Sequence, residues 1–247
     1  MMVARYAMLG LALALAAPSV QAQVPDENNA SMATGTRFKK APESPDAAKG
    51  RWMQKRVANC VFNRSKDEVR KLLANSNFYT IDFEQAGFEA ETMFDDLGVS
   101  YCIGRLMRGA DNRVYQMYMQ IQYSTLRNLL AEEVYLQDFD SPPAIVPGGA
   151  PDVAGRFDGR RVHPQISTMA ALADCLTYNA PQASHDLLEA RPGSGKEEDA
   201  IEVLGPIVAS CANTSESEMT VATSLIRQMA ADGLWSRGHY TAAEEAN

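Results

Sequence analysis

Carboxylates are the side chains in this sequence best placed by number to do acid–base or hydrolytic chemistry. Many stand close together: Asp82/Glu84, Glu89/Glu91, Asp95/Asp96, Glu132/Glu133 and Glu197/Glu198. A working pair needs two carboxyl groups in different environments facing one cleft, and neighbours on a solvated turn do not meet that demand. The segment Asn77–Phe94 is the exception worth following. It mixes Phe78, Tyr79, Ile81, Phe83 and Phe88 with Asp82, Glu84 and Glu89. It reads as a lid packed over the core, with those three acids as candidate ligand-lining groups.

Other chemistries find less. No Gly-x-Ser-x-Gly elbow or Cys–His pairing supports a nucleophile. Arg191–Lys196 (RPGSGK) has the look of a phosphate loop, but Ala190 and Glu197 stand where that loop needs Gly and Ser/Thr. It reads as a flexible connector. His163, His185 and His239 are far apart, and neither HExxH nor CxxC occurs, so no metal and no cofactor is expected.

Arg127 and Arg227 are each followed five residues later by an acid, Glu132 or Asp232. A guanidinium grips carboxylates in a planar fork. The four residues are therefore either contacts for a partner or an internal ion pair that holds a helix to its neighbours. The internal role is preferred, because the two sets sit at equivalent places in what reads as two copies of one unit. Tyr135 and Trp235 close the same blocks and read as core aromatics.

The elements that must position these groups follow from that internal similarity. Val57-Ala58-Asn59-Cys60-Val61 matches Leu172-Ala173-Asp174-Cys175-Leu176 at an offset of 115, which also sets Leu72-Leu73 on Leu187-Leu188. A capping-box pattern, Ser65 with Glu68, and a first-position proline, Pro181, mark the same helix start in two ways. Cys102 matches Cys211 at offset 109, and Leu126–Glu132 matches Ile226–Asp232 at offset 100. Met53, Val57, Cys60 and Val61 make one helical stripe, repeated by Met169, Leu172, Ala173 and Leu176. The expected fold is all-α, with two tandem pseudo-repeats of about four helices each packed into one core. Gly205-Pro206 should interrupt the third helix of the second copy. Met119–Tyr123 alternates like a short strand before Ser124 caps a helix, so minor strand content is expected.

Four cysteines permit three pairings. The duplication favours Cys60–Cys102 with Cys175–Cys211, and cross-pairing between the copies is the alternative. Each symmetric bridge closes a loop of about 40 residues, worth roughly 4 kcal/mol in the chain-entropy model.

Residues 1–22 read as a signal peptide: Arg5, an apolar run Ala7–Ala17, Pro18, and cleavage after Ala22. Residues 23–50 read as a disordered tail, whose end can start a helix at Ser44-Pro45. Residues 51–140 are the first repeat. Residues 141–164, with five Pro and four Gly, are a connector, 165–240 the second repeat and 241–247 a C-terminal tail. The full sequence carries a net charge of −8; without the signal, 22 Lys/Arg face 31 Asp/Glu, giving −9. That argues against nucleic-acid binding, and no apolar run beyond the N-terminus reaches the length of a membrane span. The expected location is periplasmic or secreted.

Val57–Val61 and Leu126–Tyr135 (LRNLLAEEVY) resemble blocks in a group of uncharacterised exported bacterial proteins. Those proteins have a cysteine on an early helix and an Arg…Ala-Glu…Tyr helix later. The likeness covers about half of the mature chain and implies a cell-envelope protein, with no activity or site residues attached. Asp232 and Trp235 depart from the pattern, so no role transfers to the second copy. Whether the chain is an enzyme stays open. The preferred reading is a non-enzymatic envelope factor that binds a protein partner through helical surfaces. The alternatives are a hydrolase of an envelope polymer and a small-ligand carrier. A hydrolase predicts a pocket where Asp82, Glu84 or Glu89 converges with an arginine; a binding factor predicts an exposed apolar patch.

Overall fold

Val57, Ala58, Val61 and Phe62 fall on one helical face, and in the computed structural model all four are buried by α1 (Ala47–Arg64). The structure describes residues 47–108, 121–153, 156, 164–213 and 221–245. The expected signal peptide and nearly all of the expected tail, Ser44-Pro45 included, lie outside them. A single residue separates α1 from α2 (Lys66–Ala74), which buries Val69, Leu72 and Leu73. Two one-turn helices follow, α3 (Phe83–Ala86) and α4 (Met93–Asp96), then α5 (Val99–Leu106) and α6 (Tyr123–Asp138). The chain continues with α7 (Pro164–Asn179), α8 (Pro181–Glu189), α9 (Gly195–Cys211) and α10 (Thr223–Glu245). Among the described residues there is no strand, only a single antiparallel bridge between Ser76 and Ile81. The fold is all-α.

α10 packs on α6, α7 and α8, while α6 packs on α1 and α2. The apolar side chains of these helices form one continuous buried cluster that runs through Leu72, Leu130, Leu187 and Leu234. Two disulfides tie the outer helices down: Cys60–Cys102 joins α1 to α5, and Cys175–Cys211 joins α7 to α9.

Several local expectations are corrected. Ser65 makes no side-chain cap. Its N–H donates to Val61 O and its carbonyl accepts from Val69, so α2 follows α1 with no open turn to cap. Ser124 does not cap α6, because the carbonyl of Gln122 already accepts from Leu126 and the helix begins at Tyr123. α9 runs unbroken through Pro206. Pro206 and Glu202 are both exposed, so the carbonyl left without its usual donor faces water. α3 and α4 add two helices to the four expected in the first repeat. α1 starts within the end of the tail, where a helix start is expected, whereas α10 continues past residue 240 into the expected C-terminal tail. Met119 and Gln120 lie outside the described residues, and Ile121 and Gln122 form no strand.

The seat of α10 on α7 is close enough to require a glycine. A Cβ at Gly233 would stand 2.6 Å from the Ala173 carbonyl and 2.7 Å from Thr177 Cγ2. Gly233→Ala is expected to cost about 1–3 kcal/mol through forced separation of the helices, read as a lower urea midpoint with an unchanged slope.

Candidate functional site

The charged residues picked out by the repeat lie between α6 and α10, and each arginine pairs with the acid of the other helix. Arg127 on α6 pairs with Asp232 on α10, and its Nε donates to Ser76 Oγ at 3.0 Å. The same guanidinium lies over the Trp235 ring, 5.2 Å from its centroid. Arg227 on α10 reaches the other way. It grips Glu132 with Nε and Nη2, at 3.0 and 2.8 Å, and Nη2 also donates to the carbonyls of Leu188 and Ala190. Between the two exchanges, Asn128 Nδ2 donates to Gln228 Oε1 at 3.4 Å.

Further ions complete two charge-balanced clusters. In one, Arg156 bridges Asp174 and Asp232 beside Arg127. In the other, Lys55 pairs with Glu132 and approaches Glu133, while Glu197 takes both Arg227 and Arg51. Balance matters here, because a buried charge without a partner is the costly state. Tyr135 is fully buried, and its hydroxyl shares a 2.8 Å hydrogen bond with His185 Nδ1.

Burial works against the ionised forms of Glu132 and Asp232, but their cations win. Arg227 and Lys55 hold Glu132 below the ordinary carboxylate range, and Arg156 and Arg127 do the same for Asp232. These groups bind protons more weakly folded than unfolded. Their stabilisation is complete above the ordinary carboxylate pKa and is lost as pH falls through the lower folded value. Glu133 behaves oppositely. Burial, only partly offset by Lys55 and Asn59, pushes its carboxyl up, so its ionisation costs stability as pH rises through the folded value. Glu132→Gln is therefore expected to cost about 2 kcal/mol at pH 7, and Glu133→Gln less than about 1. Equal costs in urea titrations would contradict this assignment.

The second feature is a groove of about 820 Å³ between α1 and α5, over the Cys60–Cys102 bridge. Trp52, Arg56, Asn59 and Asn63 line it from α1, and Tyr101 and Arg105 from α5. Arg56, Arg64 and Arg105 are exposed along it, and none forms an ion pair with a described residue. Arg64 lies 4.7 Å over the Tyr101 ring. A further hollow of about 720 Å³ continues past Trp52 to Arg191, whose guanidinium stacks 4.9 Å over that indole. At the floor stands Glu133, 7% exposed. Its Oε2 accepts from Asn59 Nδ2 at 2.6 Å, while Oε1 has no hydrogen bond and lies 3.4 Å from Lys55 Nζ.

No family model, curated protein or solved structure matches this chain.

The geometry separates the groups that the sequence singled out. Arg127, Glu132, Arg227 and Asp232 come together in the core. Asp82, Glu84 and Glu89 are exposed, Asp82 accepts from Gln85 N–H at the start of α3, and none lines the groove. Among the described residues, Tyr79, Tyr101, Tyr123, Val146 and Val203 are the exposed large apolar side chains, and of these Tyr101 lines the groove. Among the described residues no cluster of three or more His, Cys, Asp or Glu could hold a metal ion. Sequence reasoning missed Lys55, Arg156, Asp174 and Glu197. Asp174 had a signal, a charge set between Ala173 and Cys175 in an apolar stripe. Arg156 had none, because its Pro/Gly-rich surroundings read as connector.

Proposed function

We propose that this chain is an exported, internally duplicated, non-enzymatic factor that binds another protein through the basic groove. One observation carries the reading. In a chain of net charge −8, exposed Arg56, Arg64, Arg105 and Arg191 gather around one groove together with Trp52 and Tyr101. Arginine and aromatic side chains are the residues that protein interfaces concentrate. A local positive field also steers and selects an acidic partner.

The other parts of the reading have their own support. Duplication is favoured by element order, with α1, α2, α5 and α6 answered by α7, α8, α9 and α10, and by one disulfide in each set. Export is favoured by the apolar N-terminal run and by two disulfides, which persist in oxidising spaces. Among the described residues no helix is long and apolar enough to cross a membrane. The hydrolase alternative is less well served, since the groove is lined by a single carboxylate, Glu133.

The test uses residues 23–247, immobilised and exposed to the envelope fraction of the source cell, beside the variant Arg56→Glu/Arg105→Glu. A protein released by salt and not held by the variant is the expected result. A protein held equally by both places binding elsewhere. Hydrolysis of an envelope polymer with no captured protein reverses the reading.

A further inference from the structure

The second half of the molecule covers a helix face that the first half leaves exposed. At the offset of 115, Asn59 and Asn63 of α1 correspond to Asp174 and Tyr178 of α7. On α7 the chain's own irregular segment 146–153 lies across that face. Val153 N–H donates to Asp174 Oδ2 at 2.9 Å, and the Tyr178 hydroxyl donates to Val146 O at 3.3 Å. From α10, Arg237 Nη2 donates to Pro151 O at 2.7 Å and holds the same segment down. Non-helical backbone thus finds side-chain partners on this face in place of helical hydrogen bonds.

In the first half the corresponding face of α1, with Arg56, Asn59 and Asn63 exposed, lines the groove. Its floor also differs in one respect. Where α10 has Gly233 seated on α7, α6 has Glu133, at the offset of 100. Glu133 is buried and keeps one oxygen, Oε1, without a hydrogen bond. Lys55 Nζ stands 3.4 Å from that oxygen and balances its charge, so an ion pair closes this floor where helix contact closes the other.

We propose that the groove takes a non-helical, acidic segment of the partner protein, laid along α1 as residues 146–153 are laid along α7. The inference rests on the duplication and groove reading given above and adds the conformation and charge of what is bound. An unwound backbone offers free N–H and carbonyl groups to the exposed side chains of Asn59 and Asn63, whereas a helix has already spent nearly all of its own on itself. Arg56, Arg64 and Arg105 along the rim select Asp or Glu side chains on the segment. Trp52 and Tyr101 supply flat apolar faces for proline or aliphatic groups, which unwound segments commonly carry.

Fluorescence anisotropy on the whole mature chain, at low salt, tests this with three short labelled probes. The first is an alternating Glu–Pro peptide, which cannot form a helix. The second replaces its Glu by Gln, and the third is a side-chain-stapled helix of the same charge as the first. The Glu–Pro peptide is expected to bind at least about tenfold more tightly than either of the others. Arg56→Gln/Arg105→Gln is expected to weaken it about tenfold, and Asn59→Ala/Asn63→Ala to weaken it by a smaller factor while leaving its charge preference intact. Equal or tighter binding of the stapled helix would overturn the non-helical claim and leave the basic groove standing as a site. An unchanged affinity in the asparagine variant would overturn the backbone contacts to α1. Failure of both acidic probes to exceed the Gln–Pro peptide would overturn the acidic claim and the groove reading together.

Discussion

Asp232→Ala should destabilise the protein by about 3–5 kcal/mol, the largest loss expected from any single carboxylate. Asp232 is fully buried and accepts from two arginines, Arg127 and Arg156, themselves 1% and 4% exposed. Removing it strands two buried cations that share one remaining acid, Asp174, on the side of Arg156. Arg127 keeps Ser76, Asn128 and the face of Trp235, none of which carries a negative charge. Urea unfolding at pH 7 measures the loss. The control is a variant in which Arg127, Arg156 and Asp232 all become apolar residues of similar volume. Most of the lost stability is expected to return there, since the penalty belongs to unpaired ions and not to missing bonds. A single variant as stable as the parent would mean that water reaches this cluster.

The second large effect is expected from the cysteines. Replacing Cys175 and Cys211 by alanine reopens a 36-residue span, and replacing Cys60 and Cys102 a 42-residue span. Each change is expected to cost about 4 kcal/mol in the chain-entropy model. The consequences of the two differ. α9 is long and buries Ala200, Leu204 and Val208 on its own account. α5 has eight residues and buries only Val99 and Cys102, so without its bridge it has little to hold it on α1. Loss of Cys60–Cys102 is therefore expected to weaken partner binding as well as stability, because α5 is one wall of the groove. Reduction of the parent protein should reproduce the double variants in urea titrations. Identical unfolding of oxidised and reduced protein would contradict a structural role for either bridge.

Much of the architecture was legible because the chain presents the same signals twice. The stripe Met53, Val57, Cys60, Val61 and its counterpart on α7 announced two helices, and Pro181 marked where α8 begins. The disulfide pairing followed from reading the sequence as two similar units and asking where each would place its cysteines. What could not be read was everything that depends on how helices distant in sequence meet. Arg127 and Asp232 were both noticed, yet they are 105 residues apart and belong to different halves, so their pairing exists only once α6 lies against α10. The groove failed to appear for another reason. Trp52, Arg56, Asn59 and Asn63 recur at helical spacing, but on the polar side of α1, where a solvated face and a binding face carry the same pattern. Asp82, Glu84 and Glu89 drew attention through their aromatic neighbours, of which Phe78, Phe83 and Phe88 pack on the core while the acids, like Tyr79, are exposed.

The crosswise pairing of α6 with α10 has a bearing on whether the polypeptide must be continuous. Arg127 is neutralised by an acid from the later half alone, whereas the later half buries three acids, Asp174, Glu197 and Asp232, against two arginines of its own, Arg156 and Arg227, so separation leaves an unmatched charge in each fragment. A protease cut at the exposed turn around Val146–Gly149 should leave the pieces clamped together through gel filtration. The two pieces made as separate chains should be insoluble alone and recover when refolded as a mixture.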